Sequence, residues 1–225
     1  MDTAEPIARV RRDPDGARRR ILAAARDEFA RSGLDGARVD RIAAAAGINK
    51  AMLYYYFGDK EGLWLAVLEA TYEHIRLAER TLELEALEPR AAIARLLQFT
   101  WQYYLDNPEF IQLLNTENLQ RARHLRRSER VPEMHSPFVG LIADVLRRGE
   151  ATGVFRPGVD PVQLYISVAA LAYFYLSNSA TLGAIFGRDL LAGSALAARL
   201  AHMQELVLAG IAAGPPVTPG AAASP

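Results

Sequence analysis

The stretch from Arg38 to Lys60, RVDRIAAAAGINKAMLYYYFGDK, constrains the fold more than any other part of the chain. Val39, Ile42, Ala43 and Ala46 recur at i, i+3, i+4 and i+7, the spacing of a helix with one apolar face. Gly47 follows where a left-handed residue is needed, because only glycine reaches positive φ without a Cβ penalty, and Ile48 is placed to fold back and seal that turn. Asn49 is a ready N-cap for a second helix, Lys50 to Phe57. In that helix Leu53 and Phe57 stand four apart and can plug into the first, leaving Lys50, Met52, Tyr54, Tyr55 and Tyr56 to share the other faces.

Two short helices joined by a glycine turn, the second rich in basic and phenolic side chains, have the plan of a helix-turn-helix, whose second helix enters the DNA major groove. A helical hairpin in an ordinary all-α core has the same spacing. Three consecutive tyrosines weigh against that second reading. Adjacent helical positions lie about 100° apart around the axis, so a short helix cannot bury all three phenols, each of which needs a hydrogen-bond partner when buried.

The order Ile21-Leu22-x-Ala24-Ala25-x-x-x-Phe29-x-x-x-Gly33, then Ile42-Ala43-x-x-Ala46-Gly47-Ile48, then Leu53-Tyr54-Tyr55-Tyr56-Phe57-x-x-Lys60-Glu61-x-Leu63 strongly resembles the DNA-binding domain of the TetR family of bacterial transcriptional regulators. The match runs over residues 18–65 without a gap; beyond it the resemblance is one of general layout. It implies an all-α chain with an N-terminal three-helix helix-turn-helix domain and a larger helical domain for ligand binding and dimerisation. The expected organisation is a disordered basic arm (1–14), the DNA-binding domain (15–60), the helical domain (61–213) and a disordered tail (214–225).

Charge supports this division only weakly. Residues 1–60 hold 12 Arg and Lys against 9 Asp and Glu, while the rest of the chain is acidic by the same margin, so the overall charge is zero. Both lysines, Lys50 and Lys60, fall in the opening stretch. With no cysteine in 225 residues there is no disulfide framework, thiol switch or thiolate metal site. The N-terminal residues lack the apolar core of a signal peptide, which suggests a soluble cytoplasmic protein.

Along the chain, Arg9, Arg11 and Arg12 of the arm are placed to reach phosphate or a minor groove, or are simply solvated. Asp15 can cap a helix from Gly16 to Ser32 that Gly33 ends. Arg18, Arg19 and Arg20 at its start are either a solvated turn or partners for an anion. Asp59 caps a long helix expected to reach Leu87 and to connect the DNA-binding head to the remainder. Pro89 begins a helix ending near Asp106, and Pro108 one reaching Arg127. Residues 128–137 read as a loop, and Phe138 to Thr152 as a helix stopped at Gly153. Asp160 and Pro161 open an almost uncharged helix to Ile185, and a last helix spans Ala192 to Ile211. The uncharged helix is long enough to span a membrane. Its recurring Gln163, Ser167, Ser177, Asn178, Ser179 and Thr181 and its lack of basic flanks favour burial instead. Its own domain would cover one side and a second subunit the other, giving a homodimer through the last two helices and no membrane.

There is no glycine-rich phosphate loop, no GxSxG elbow and no HExxH, and His74, His124, His135 and His202 share no metal-ligand spacing. An enzyme, a metal and a cofactor are therefore not expected, and function lies in binding. Asn49, Lys50, Met52 and Tyr55 lie toward the base edges, where Lys50 can donate to guanine and Met52 can pack on a thymine methyl. By the resemblance, Tyr54, Tyr56 and Lys60 look like phosphate clamps, with Arg38 and Arg41 on the flanking backbone or one base. The resemblance also implies a pocket for an unknown small-molecule effector. Its candidate lining is Trp101, Tyr104, Asn115, Asn118, His124, Tyr165, Tyr173 and Asn178, aromatic walls with a few polar groups; plain core packing is the alternative for each. The resulting expectation is a DNA-binding regulator, a repressor whose affinity for a palindromic operator falls when effector binds. Rivals are an activator or ligand-independent regulator, and an all-helical small-molecule carrier without specific DNA recognition.

Overall fold

The computed structural model describes residues 13–214. The arm carrying Arg9, Arg11 and Arg12 and the tail from Pro215 lie outside the described residues. Among the described residues all regular elements are helical, and the one isolated bridge pairs Phe155 with Ala212. The chain divides into two compact units at Ala70/Thr71, ten residues beyond the boundary expected from the sequence.

The N-terminal unit contains α1 (Pro14–Gly36), α2 (Val39–Ala46), α3 (Lys50–Phe57) and the first half of α4 (Lys60–Arg80). The cap of α1 is Asp13, not Asp15: its carboxylate accepts from Gly16 N–H at 2.8 Å, and Pro14, which has no N–H to satisfy, takes the first position. Gly33, at φ 66°, kinks the helix where an end was expected. Ile21, Ala25, Phe29, Ile42, Ala46, Leu53, Leu63 and Trp64 form the core, and the Phe29 and Trp64 rings meet edge to face at 5.0 Å. At the α3–α4 junction Gly62 is required, because a Cβ there would stand 2.2 Å from the Phe57 carbonyl oxygen.

In the C-terminal unit α5 (Pro89–Asp106) is central, packing on α7 (Arg130–Ala151), α8 (Pro161–Ser177) and α10 (Gly193–Ile211), while α6 (Pro108–Leu119) covers α5 and α8. Leu96, Leu97, Trp101, Ile142, Val168 and Met203 lie in this core. Two polar ties secure the loops. Arg148 donates to the carbonyls of Leu84 and Leu87, each at 2.8 Å, and Arg156 N–H donates to Ile211 O at 2.9 Å beside the Phe155–Ala212 bridge.

Beyond α1, four expected elements differ. The fourth helix stops at Arg80 rather than Leu87, and Leu84–Ala86 forms a separate 3₁₀ turn after a left-handed Glu83. The sixth stops at Leu119 rather than Arg127, because the buried Glu117 carboxylate captures the N–H groups of His124 (2.8 Å) and Leu125 (3.0 Å) and folds the chain back. Residues 130–137, expected as loop, begin α7, which carries Pro137 in its interior. The long uncharged helix breaks at Asn178 into α8 and α9 (Ser179–Phe186), bent by 67°. No single helix among the described residues is long and apolar enough to cross a membrane.

Candidate nucleic-acid interface and effector region

The turn between α2 and α3 is built as its residues dictate. Gly47 takes φ 66°, ψ 38°, its N–H donates to Ala44 O at 3.1 Å and that of Ile48 to Ala43 O at 3.0 Å, the paired bonds of a Schellman ending. Asn49 then caps α3, accepting from Met52 N–H at 2.9 Å. With Leu53 fully buried, the remaining side chains are turned outward. Lys50 is exposed, as are Met52, Tyr54 and above all Tyr55 at 85%; Tyr56 is half-buried, its ring 5.5 Å from that of Tyr55. An open groove of about 1110 Å³ runs beside them, lined by Pro14, Ala17, Arg20, Ile48, Asn49, Met52, Tyr55 and Tyr56. This exposed helix, one fixed turn from a buried partner, can be inserted into a groove of DNA without unfolding anything.

The flanking cations are less free than the sequence suggested. Arg38 forms a 2.9 Å ion pair with Asp40, whose carboxyl is held below its ordinary range chiefly by that hydrogen bond. Its own N–H donates to Glu28 at 3.1 Å. Arg41 is exposed, its guanidinium 3.8 Å from Glu28. The Lys60 ammonium donates to Asp35 O at 3.1 Å, tying the start of α4 to the end of α1. Arg18 lies over the Phe57 ring at 5.5 Å and Arg20 donates to Ala46 O at 3.4 Å.

In the C-terminal unit the eight candidate lining residues do not converge on one place. Asn118 is exposed. Asn178 is engaged with Phe174 O (2.9 Å) and Ser177 Oγ (2.8 Å) at the α8–α9 bend. The buried His124 donates through Nδ1 to Glu117 at 2.8 Å in the loop that ends α6. Trp101 packs edge-on to Tyr175 at 5.7 Å, and the Tyr173 hydroxyl donates to Asn115. Tyr104 and Tyr165 belong to a longer run of rings. Tyr104 stacks on Phe110 (5.5 Å), Phe110 meets Tyr72 (5.8 Å), Tyr72 meets His135 (5.5 Å), and Tyr165 meets both His135 (6.0 Å) and Phe138 (5.7 Å).

Among these rings sit groups that the sequence reading missed, Tyr72, Arg76, Glu79, His135 and Phe138. Tyr72, Arg76 and Glu79 fall at i, i+4 and i+7 on α4, so they share one face of that helix. Arg76 and Glu79 are 5% and 2% exposed. Burial raises the Tyr72 phenol to about 12 and the Tyr104 phenol further. It raises the Glu79 carboxyl to about 8, with Arg76 only partly opposing, and lowers His135, helped by the charge of Arg76.

The family model for bacterial regulatory proteins of the tetR family matches residues 21–67, and that for the tetracyclin repressor-like C-terminal domain matches residues 89–207. The HTH-type transcriptional repressor NicS of Pseudomonas putida is 37% identical over 197 residues, covering 88% of this chain and 93% of that protein. The HTH-type transcriptional repressor SCO4008 of Streptomyces coelicolor is 34% identical over 161 residues, covering 72% and 79% respectively. The crystal structure of SCO4942 from Streptomyces coelicolor superposes with a TM-score of 0.64 at 26% identity, over 88% of this chain and 99% of that one. With an exposed recognition helix on a glycine turn and both halves matched, the chain is no enzyme and belongs to the TetR family of bacterial transcriptional regulators.

Proposed function

We propose that the chain is a repressor acting in the cytoplasm on a palindromic operator, released when a small molecule occupies the C-terminal unit. The observation that carries the DNA-binding part is α3 itself, with Lys50, Met52, Tyr54 and Tyr55 outward and Leu53 at 0% exposure fixing its rotation. Lys50, Met52 and Tyr55 read base edges and Tyr54 and Tyr56 hold phosphate. Asn49 adds to this chiefly as the cap, and Lys60 and Arg38 by fixing the helices that flank the reader. Repression is the activity named for the relatives NicS and SCO4008.

A homodimer through α8, α9 and α10 supplies the second recognition helix. These helices expose Val162, Ile166, Phe174, Ile185, Phe186 and Leu206, beside an open groove of about 650 Å³ between α8 and α10. So many exposed large apolar side chains on neighbouring helices mark an association surface. Effector binding then shifts the population toward dimers whose recognition helices do not match successive major grooves, about 34 Å apart, and operator affinity falls by the effector's preference for that state.

The test is binding of the purified protein to the DNA upstream of its own gene, in titrated salt and excess competitor. Binding that survives competitor and leaves a palindromic footprint supports the proposal. Competitor-sensitive binding to every fragment of a genome-wide selection would refute specific recognition.

A further inference from the structure

Arg76 is a buried cation whose hydrogen bonding is incomplete. A guanidinium keeps its charge in any protein environment, and burying it is costly unless it is paired and fully bonded. Nη2 donates to the Tyr165 hydroxyl at 3.3 Å. Nη1 forms a 2.9 Å ion pair with Glu79 Oε2 that lacks hydrogen-bond alignment, and Nε is buried without a hydrogen-bond partner. Burial raises the Glu79 carboxyl to about 8, with Arg76 opposing, so its carboxylate is a costly partner for the arginine. What surrounds the cation is aromatic: Phe138 at 4.5 Å and Tyr165 at 5.5 Å from the guanidinium carbon, with His135 and Tyr72 next in the ring run.

The geometry points to Arg76 as the anchor for the carboxylate of a small planar ring acid, which completes the hydrogen bonding of the guanidinium while its ring lies among Tyr72, His135, Phe138 and Tyr165. This deepens, and rests on, the reading of the C-terminal unit as the effector-binding part. A cation is repelled at this site. A dianion such as phosphate needs more donors than one guanidinium and its neighbouring phenols supply, whereas a carboxylate on a flat ring matches both the charge and the walls. One wall can move. Pro137 inside α7 has no N–H to give to the preceding turn, so one helical hydrogen bond is missing in the turn that carries His135.

The experiment is isothermal titration calorimetry of the full chain with benzoate and the three hydroxybenzoates, against benzamide and benzylamine. At least one acid is expected to bind the wild-type chain, its amide about tenfold or more weakly, and Arg76→Gln is expected to lose about tenfold or more in affinity for that acid. Glu79→Gln, which keeps the cation and removes its competitor, should bind the acid at least as well. If Arg76→Gln does not fold by circular dichroism, the acid-to-amide ratio and Glu79→Gln decide. Equal binding of acid and amide, undiminished binding to folded Arg76→Gln, or no binding of any of the four acids overturns the proposal. Release of operator by a neutral or cationic compound alone would overturn it and leave the effector reading standing. Acid binding at Arg76 that leaves operator affinity unchanged would do the reverse.

Discussion

The Glu28 carboxylate, 4% exposed, accepts the backbone N–H of Arg38 at 3.1 Å. The bond joins the middle of α1 to the residue that opens α2, adding a buried polar tie to the apolar packing that places the helix-turn-helix. Glu28→Ala should cost about 1–3 kcal/mol by leaving a part-buried donor unmet, while Glu28→Gln retains an acceptor and should cost less. Urea unfolding of both variants, followed by circular dichroism, measures the difference.

The exposed side chains of α3 should separate into two classes. Lys50→Ala should cost about 1–3 kcal/mol on the best operator and relax preference at one base position. Tyr54→Phe should weaken all sequences alike. If an additional cation–phosphate contact is lost, as by Arg41→Ala, the slope of log affinity against log salt should flatten by about 0.9 per contact. Fluorescence anisotropy on operator variants at several salt concentrations reads all three.

Glu79 links stability to pH. Its carboxyl is raised from 4.5 to about 8 in the folded chain, so the folded state holds a proton that the unfolded state releases. The stability gained is fully present below about pH 4.5 and is lost as pH rises through about 8. Glu79→Gln cannot titrate, and its unfolding free energy should fall less than that of the wild type between about pH 5 and about pH 8.5. Paired denaturant titrations across that range give the comparison.

Phe174 is 57% exposed on α8. If α8–α10 form the subunit contact, Phe174→Glu should buries a charge at it and shift sedimentation from dimer toward monomer. Helicity should be retained, because the side chain is not part of the core.

Short-range chemistry was legible in the sequence. Ala43, Gly47, Ile48 and Asn49 define their turn and cap within seven positions, and Asp59 caps α4 as expected, accepting from Gly62 N–H at 2.6 Å. Asp13 and Asp15 both flank Pro14, and the choice between them turns on which carboxylate meets the Gly16 N–H. Elements set by distant or tertiary contacts were not legible. Glu117 ends α6 through bonds to residues seven and eight positions on, and Pro137 sits within a helix although proline usually ends one. Nothing in the sequence marks Arg76 and Glu79 as buried, since contacts such as those of Phe138 and Tyr165 with Arg76 come from distant parts of the chain. The candidate pocket residues scattered for the same reason, an aromatic residue on a helix having no sequence mark of which neighbour it meets.

The 67° bend between α8 and α9 bears on how two copies could be aligned. A straight apolar helix can slip along a partner by a whole turn and find similar contacts again. Two apolar ridges that cross at a steep angle cannot both slip in the same direction, so a dimer built on them has a single register. If two copies pack through α8 and α9, the break at Asn178 fixes their register along each other.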